Sequence, residues 1–438
     1  MGAIIGSISV LLFGTALLLV GGGLQGSLIA LRAAIEGFDT PLIGLIMAGY
    51  FIGFVLGSRY SSQLIRSAGH IRVFAALASI ASAAALLHIL YTDPWSWWVL
   101  RVITGFCFAG LYMVIESWLN DRANNTNRGS ILSVYMVISL IALALGQQFL
   151  GLADPASFEL FVIVSVLISF ALVPIALTRT AAPLPVTSQS LGIRLLFRVT
   201  PLGAVACLAS GLVSGAFWGM GPLYADGIGL DTAGVGNFMS VFILGGVVMQ
   251  WPIGWLSDRF GRYPLILFTS LALAASSTLL YSFTLQSLWL LYLVAALTGG
   301  ALFPLYSLAI AHANDLLEAD NRLAGASSLL LLYGIGASLG PLLSGLVMGW
   351  IGPAGLYAFC TIVALLLILY TFSVRGSFAA IEEEAHYVPS VLTTPEAILL
   401  DPRVEQESVD AMEVEAAVNA GKACTIEEGA EGENGQPV

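Results

Sequence analysis

The chain has few charged residues: Asp, Glu, Lys and Arg make up 10% of its 438 residues, whereas hydrophobic residues make up 58%. The mean hydropathy is +0.91. A soluble globular domain carries about 25% charged residues, so this composition excludes that class. Because so much apolar surface needs lipid around it, the composition predicts a polytopic membrane protein.

Cysteine and histidine are also scarce, with four of each. Three cysteines lie in apolar stretches and one lies in the tail, so no disulfide framework is indicated. The histidines show no metal-ligand spacing, and the phosphate-binding pattern G-x-x-x-x-G-K-[ST] does not occur. We therefore expect no metal, no cofactor, no ATP-driven transport and no enzymatic activity.

Twelve apolar stretches are long enough, at about 20 residues each, to cross a bilayer as helices. The predicted spans are residues 6–31, 42–63, 71–92, 96–118, 130–152, 158–178, 200–224, 233–255, 264–285, 288–311, 324–349 and 354–374. The first has no basic segment before it and is too long for a signal peptide, so we keep it as a helix. The predicted fold is all-α, with the lipid bilayer as its solvent.

The net charge of −11 lies entirely in residues 375–438, because acids and bases cancel in the rest of the chain. We expect this acidic tail to be largely disordered. An acidic excess gives no reason to expect a nucleic-acid partner. The arginines before the tail concentrate in alternate loops, so the positive-inside rule predicts that these loops and both termini are cytoplasmic.

The chain contains an internal repeat. The segment Gly37-Phe38-Asp39-Thr40 recurs as Gly229-Leu230-Asp231-Thr232, and the pair Asn120-Asp121 recurs as Asn314-Asp315. Six spans separate equivalent positions, so the two copies run in the same direction through the membrane. The predicted units are an N-terminal bundle at 1–178, a cytoplasmic linker at 179–199, a C-terminal bundle at 200–374 and the tail at 375–438.

A polar loop lies between the eighth and ninth spans. It reads G-x-L-x-D-R-x-G-R, with Gly254, Asp258, Arg259, Gly261 and Arg262 at its defined positions. Charged groups cannot remain in hydrocarbon, so the loop must lie at a membrane face. The pattern resembles the loop between the second and third helices of each half in the major facilitator superfamily of secondary transporters, a family of two parallel six-helix bundles.

The resemblance implies that this loop is a conformational latch. Asp258 would accept hydrogen bonds from a neighbouring helix N-terminus, while Arg259 and Arg262 would pair with carboxylates. Asp121 and Asp315, which follow the fourth and tenth spans, are the expected partners for loop arginines. The alternative is a solvated turn.

The equivalent loop of the first half departs from this pattern. It keeps Gly69, but Ser62 stands in the position of Gly254 and Arg66 in that of Asp258. The latch of the first half is therefore expected to be altered or missing.

The fourth span contains a stripe of candidate functional residues. Arg101, Gly105, Phe108, Tyr112 and Glu116 follow one another at helical spacing and so share a face. A charge within a span is a functional candidate by default, although Arg101 is close enough to the outer boundary to reach the interface instead. Glu116 is a candidate proton site, with a structural pairing to a loop arginine as the equal alternative.

The Arg101-x-x-x-Gly105 pattern resembles the fourth-helix motif of the superfamily, in which the arginine faces a central cavity. In that fold the first, fourth, seventh and tenth helices line the cavity. The resemblance therefore implies further candidates for contact with substrate, each of which could otherwise be a packing residue: Gln25, Arg32, Trp218, Tyr224, Phe303 and Tyr306.

Together with Glu116-Ser117 and Asn127-Arg128-Gly129, this stripe resembles the YcaD-like branch of the family, transporters of the bacterial inner (plasma) membrane. The resemblance implies a monomer that transports a small solute by alternating access, with protons as the coupling ion. Two alternatives remain open. One is an uncoupled facilitator, and the other is a receptor or scaffold that acts through its acidic tail.

Overall fold

The computed structural model describes residues 2–123, 128–176, 192–282, 287–317 and 319–374, and every regular element within them is helical. The helices are α1 Gly2–Ile35, α2 Thr40–Ala68, α3 His70–Leu90, α4 Pro94–Asp121, α5 Arg128–Gln148, α6 Glu159–Ala176, α7 Ile193–Val199, α8 Pro201–Gly227, α9 Thr232–Phe260, α10 Arg262–Tyr281, α11 Leu288–Leu316, α12 Ala319–Ile351 and α13 Gly355–Ser373. A 3₁₀ turn, Phe149–Leu152, continues α5. Asn127, most of the predicted linker and the predicted acidic tail lie outside the described residues.

Twelve of these helices coincide with the twelve predicted spans, and α7 occupies the end of the predicted linker. Eleven are long and apolar enough to cross a membrane, and α6 is a shorter apolar helix in its described part. A helix satisfies its own backbone hydrogen bonds, which lipid cannot do. The prediction of an all-α polytopic membrane protein is confirmed.

Local sequence signals set several helix starts. Asp93 precedes α4 and its carboxylate accepts a hydrogen bond from the Ser96 amide at 2.9 Å. Asp231 caps α9 in the same way, through the Gly234 amide at 2.8 Å. Proline in the first turn of α2, α4 and α8 has no amide hydrogen to leave unpaired.

The helices form two bundles with the same internal packing. In the first bundle, α1 packs against α5 and α6, while α2 and α3 pack against α4. In the second bundle, α8 packs against α12 and α13, while α9 and α10 pack against α11. Each of these four contacts of one bundle has its counterpart in the other, which confirms two parallel six-helix repeats.

One helix crossing shows how closely the repeats correspond. Gly105 of α4 lies against the carbonyl of Tyr50 on α2, and Gly299 of α11 lies against the carbonyl of Phe242 on α9. A Cβ atom at either glycine would collide with that carbonyl oxygen. Small residues at these positions allow the two backbones to approach, which is a common basis of helix association in membranes.

The molecule has two ends of different charge. At the basic end lie the turns between α2 and α3, α4 and α5, α9 and α10, and α11 and α12, with the loop arginines. At the acidic end lie the opposite turns, with acids that include Glu36, Asp39, Asp93, Asp154 and Asp231. Between the bundles, α2 packs against α12 and α5 packs against α9.

Candidate functional site

A cavity of about 230 Å³ lies between the two bundles. Both bundles contribute to its wall, through α1, α2, α4 and α5 on one side and α8, α9, α11 and α12 on the other. Six of the residues predicted to contact substrate line it: Gln25, Arg101, Tyr112, Trp218, Phe303 and Tyr306. The structure thus brings together residues that are far apart in the chain.

Aromatic rings and one guanidinium form the wall of the first bundle. The Arg101 guanidinium carbon lies 4.7 Å from the centroid of the Tyr50 ring, a cation–π contact. Tyr50 packs against Phe108 at 6.1 Å between ring centroids, and Phe108 packs against Tyr112 at 5.9 Å. Arg101 is only 4% exposed, so its charge lies inside the protein rather than at the membrane surface.

The wall of the second bundle is also aromatic. Trp218 of α8 faces Phe303 of α11 with 6.2 Å between ring centroids. Tyr306 of α11 packs edge-on against Tyr333 of α12 at 4.9 Å. The cavity therefore presents flat apolar surfaces from both bundles.

Two glutamines near each other in the cavity wall have different environments. Gln147 is fixed, because its amide nitrogen donates to the Gly23 carbonyl at 2.9 Å and its amide oxygen accepts a hydrogen bond from Ser27. Gln25 is 1% exposed, and its side-chain nitrogen has no hydrogen-bond partner among the described residues. Gln25 therefore retains hydrogen-bonding capacity for a bound molecule.

Three predicted substrate or proton residues are not part of the cavity wall. Arg32 lies near the acidic end, where it pairs with Glu36 at 2.6 Å and donates to the Pro155 carbonyl. Tyr224 is buried within the second bundle, and its hydroxyl donates to the Leu280 carbonyl at 2.8 Å.

Glu116 is the third of these residues. It is fully buried and accepts a hydrogen bond from the Tyr135 hydroxyl at 2.8 Å. It lies one turn beyond Tyr112, toward the basic end of α4. This carboxylate is therefore adjacent to the cavity in sequence but separate from its wall.

The predicted latch residues meet around one buried arginine. Arg262 begins α10, and its guanidinium pairs with Asp258 at 2.6 Å and with Asp315 at 3.1 Å, and donates to the Ser257 hydroxyl at 2.7 Å. The Asp315 side chain is fully buried, whereas that of Asp258 is 30% exposed. The network joins α9, α10 and α11, all within the second bundle.

The remaining latch residues differ in their surroundings. Gly254 is buried within α9, and Gly261 ends that helix with φ +87°. Arg259 is exposed, with its guanidinium 5.6 Å from the Trp255 ring centroid. Asp121 is exposed at the end of α4 and forms no ion pair with any other described residue.

The bundles are joined near the acidic end. On one side Gly44 of α2 lies against the carbonyl of Pro341 on α12. On the other side the Gln148 amide of α5 donates to the Ser240 hydroxyl of α9 at 2.7 Å. That hydroxyl in turn donates to the Ala144 carbonyl at 2.7 Å. The bundles thus contact each other near this end through both of the helix pairs that lie between them.

Sequence reasoning missed the contributions of α2, α5, α9 and α12 to the wall. Tyr50, Gln147 and Gln250 are the clearest examples. Gln147 and Gln250 are polar residues inside predicted spans, and this was the signal that could have identified them. Tyr50 has no such signal, because an aromatic residue in a span also suits a lipid-facing or packing position.

Among the described residues, no group of three His, Cys, Asp or Glu side chains is placed to hold a metal ion. Cys107, Cys207 and Cys360 are buried, and none of the three forms a disulfide. A helical protein with a cavity between two repeated bundles has the architecture of a membrane transporter.

The chain belongs to the Major Facilitator Superfamily, whose family model matches residues 11–235 and 203–403. A relative from Escherichia fergusonii, described as the uncharacterised MFS-type transporter YcaD, is 30% identical over 344 residues, which is 78% of this chain and 88% of the relative. A second MFS-type transporter, from Enterobacter sp. strain 638, is 31% identical over 77% of this chain and 88% of its own length. These relatives confirm the YcaD-like branch.

Solved structures of the superfamily share the fold. The nucleoside transporter NupG superposes with a TM-score of 0.70 at 16% identity, covering 85% of this chain and 99% of its own. A bacterial homologue of the human lysosomal transporter Spinster, in an inward-facing and unoccupied conformation, gives a TM-score of 0.64 at 13% identity, covering 90% and 97%. The two-bundle architecture is thus common to all three proteins.

Proposed function

We propose that the chain is a secondary active transporter that moves a small solute through the central cavity by alternating access, coupled to protons. The observation that carries this proposal is a cavity whose wall comes from both bundles. Two bundles that meet around one site can rock against each other and expose that site to each side in turn. Because one chain completes the cavity, the proposed transporter acts as a monomer.

The arrangement of the bundles supports a state that opens toward the basic end. The bundle contacts at Gly44 and Gln148 lie near the acidic end. Two residues of the cavity wall, Ser58 of α2 and Gln250 of α9, lie closer to the basic ends of their helices. By the positive-inside rule the basic end is cytoplasmic, as are both termini, in a bacterial inner membrane. The proposed state therefore faces inward.

The arginine network supports a role as a rigid brace in this cycle. Arg262 connects three helices of the second bundle through Asp258 and Asp315. Both ion pairs of Arg262 lie within the second bundle, and the Arg32–Glu36 pair lies within the first. In the proposed cycle the network keeps α9, α10 and α11 together, so that the second bundle moves as one body.

Glu116 is the proposed proton site. It is a buried carboxylate in a helix that lines the cavity, and such a group is costly inside a membrane protein unless it has a function or a partner. Its hydrogen bond from Tyr135 is compatible with either a proton-binding role or a structural one. The two roles differ in their effect on flux.

Reconstituted flux tests the proposal. Solutes that stabilise the purified protein against thermal unfolding would be loaded into proteoliposomes, and their uptake measured with and without an imposed proton gradient. We expect accumulation with the gradient and equilibration without it. Glu116→Gln should abolish accumulation but retain downhill exchange, whereas Arg72→Gln, which alters an exposed arginine of α3, should behave as wild type.

Three results would contradict the proposal. Equal uptake with and without the gradient would favour the uncoupled facilitator. Deletion of residues 376–438 tests the receptor or scaffold alternative: flux should survive the deletion if the bundles transport. Absence of flux for every stabilising solute would exclude transport as the activity.

A further inference from the structure

We infer that the solute bound in the central cavity is a small organic anion, a carboxylate with an aromatic or apolar body. This inference rests on the proposed function, because it names the class of solute for the same cavity. Four features of the described residues support it: the charge of the wall, the contacts of Arg101, the free donors around it and the aromatic surfaces.

The charge of the wall is positive. Among the described residues that line the cavity, Arg101 is the one Arg or Lys, and none is Asp or Glu. The buried carboxylate of the same helix, Glu116, lies one turn beyond the lining residue Tyr112 and is not part of the wall. It is fifteen positions from Arg101, which at 1.5 Å per residue is roughly 22 Å along α4. A cationic solute would therefore meet a like charge here and no carboxylate.

The contacts of Arg101 leave its charge without a counter-ion. Its side chain is buried and stacks on the Tyr50 ring, but it forms no ion pair with any described residue. Its Nε atom is buried without a hydrogen-bond partner. A buried guanidinium in this condition is unfavourable, and a carboxylate ligand would supply both the opposite charge and the paired acceptors.

Three neutral side chains of the wall, like Arg101, also have buried polar atoms without a hydrogen-bond partner among the described residues. The side-chain nitrogen of Gln25 and the hydroxyls of Ser210 and Ser327 are buried without a hydrogen-bond partner among the described residues. All three residues line the cavity with Arg101. Amide and hydroxyl groups suit the acceptor oxygens of an anion, whereas a buried group without a partner costs free energy.

The aromatic surfaces define the rest of the solute. Tyr50 and Phe108 present rings from the first bundle, and Trp218 and Phe303 present rings from the second. A flat or apolar body between them would bury apolar surface of both walls. The volume of about 230 Å³ is below the usual range of small-molecule sites, about 300–1,000 Å³, so the solute is small.

Binding to the purified wild-type protein tests this inference directly. The probes are 3-phenylpropionate, indole-3-acetate and benzoate, each compared with its primary amide and with the amine of the same skeleton. We expect the acids to raise the unfolding temperature and to bind at least about tenfold more tightly than their amides, because the ion pair is lost in the amide. The amines should not bind. Equal binding of amides or amines, or no binding by any of the acids, would overturn the inference.

Variants of Arg101 assign the effect to its charge. Arg101→Gln should remove the preference for the acid over the amide, and Arg101→Lys should keep a weaker preference because the charge remains. Arg72→Gln, at an exposed arginine outside the cavity, is the matched control and should bind as wild type. If Arg101→Gln does not fold, two measurements still test the inference. One is the preference of the wild-type protein for each acid over its amide, and the other is the reduction of that preference in Arg101→Lys.

The design separates this inference from the proposed function. Binding is measured on purified protein and requires no flux. Selective anion binding without flux would contradict the proposed transport function but not the anion assignment. Flux restricted to neutral or cationic solutes would contradict the anion assignment but not the transport function.

Discussion

The turn between α2 and α3 and the turn between α9 and α10 are equivalent positions of the repeat, and they share one backbone conformation. Gly69 has φ +85° and ψ 155°, and Gly261 has φ +87° and ψ 162°. In each turn the glycine ends one helix and precedes the next. The duplicated unit has therefore kept the geometry of this turn in both copies.

The side chains at the two turns differ completely. Position 262 is an arginine bound to Asp258 and Asp315, whereas its counterpart is His70, which is buried against Trp118 and hydrogen-bonded to the Ser117 hydroxyl at 3.1 Å. One turn holds a charged network and the other holds a neutral contact. The electrostatics of the turn have thus diverged between the two copies, whereas its backbone geometry has not.

The difference between the two turns separates the cause of the turn from the cause of the Arg262 ion pairs. Only glycine adopts a positive φ with an extended ψ at low cost, so the turn has glycine in both copies. The ion pairs do not follow from the turn itself, because the first copy makes the same turn without them. We attribute the ion pairs to the packing of α9, α10 and α11. Substitutions at equivalent positions of the two turns test this attribution.

The largest expected effect is at Arg262. Arg262→Gln should lower the free energy of unfolding by about 3–5 kcal/mol, because the fully buried Asp315 side chain loses a guanidinium partner. His70→Gln should cost about 1 kcal/mol, the value of one hydrogen bond. Both can be measured by equilibrium unfolding in mixed micelles.

A double-mutant cycle provides the control for that prediction. Combining Arg262→Gln with Asp315→Asn should recover much of the loss, since the buried charge is then removed with its partner. Asp258→Asn should cost no more than about 1 kcal/mol, because that carboxylate is partly exposed. Equal costs at positions 70 and 262 would refute the proposed difference between the two turns.

A smaller and equal effect is expected at the two glycines. Gly69→Ala and Gly261→Ala should each lower the free energy of unfolding by about 1–3 kcal/mol, because both place a Cβ on a backbone with positive φ and extended ψ. The same unfolding assay measures both. A cost in one copy that is several times the cost in the other would show that the two turns do not share one backbone requirement.

The fold could be predicted because the bilayer imposes a simple rule on sequence. Long apolar runs must be helices, and matched Asn-Asp pairs exposed the repeat. Arg101 was identified as a cavity candidate because a charge within a span is rare. Arg32 carries the same signal, but it pairs with Glu36 at the acidic end, and only the packing of α1 distinguishes the two arginines.

The wall of the cavity could be predicted only in part. Tyr50 and Trp218 are both aromatic residues in apolar helices, and only the resemblance to a known family selected the second. Which face of a helix lines a cavity depends on how two bundles meet, and that contact is not encoded in the hydropathy of one helix. Charges and polar residues thus revealed part of the site, while its aromatic surfaces required three-dimensional packing.

The smallest expected effect is at Asp121, the acid of the first half that is equivalent to Asp315 in the second. Asp121 and Asp315 occupy equivalent positions of the repeat, but Asp121 is exposed and forms no ion pair with a described residue, whereas Asp315 pairs with Arg262. Asp121→Asn should therefore change the free energy of unfolding by no more than about 0.5 kcal/mol, as for most exposed positions. Asp315→Asn, measured in the same micelles, should cost several times more, because it removes the counter-charge of a buried guanidinium. A loss at Asp121 as large as that at Asp315 would mean that the first copy also has a charged brace, and the contrast between His70 and Arg262 would then not explain the difference between the two halves.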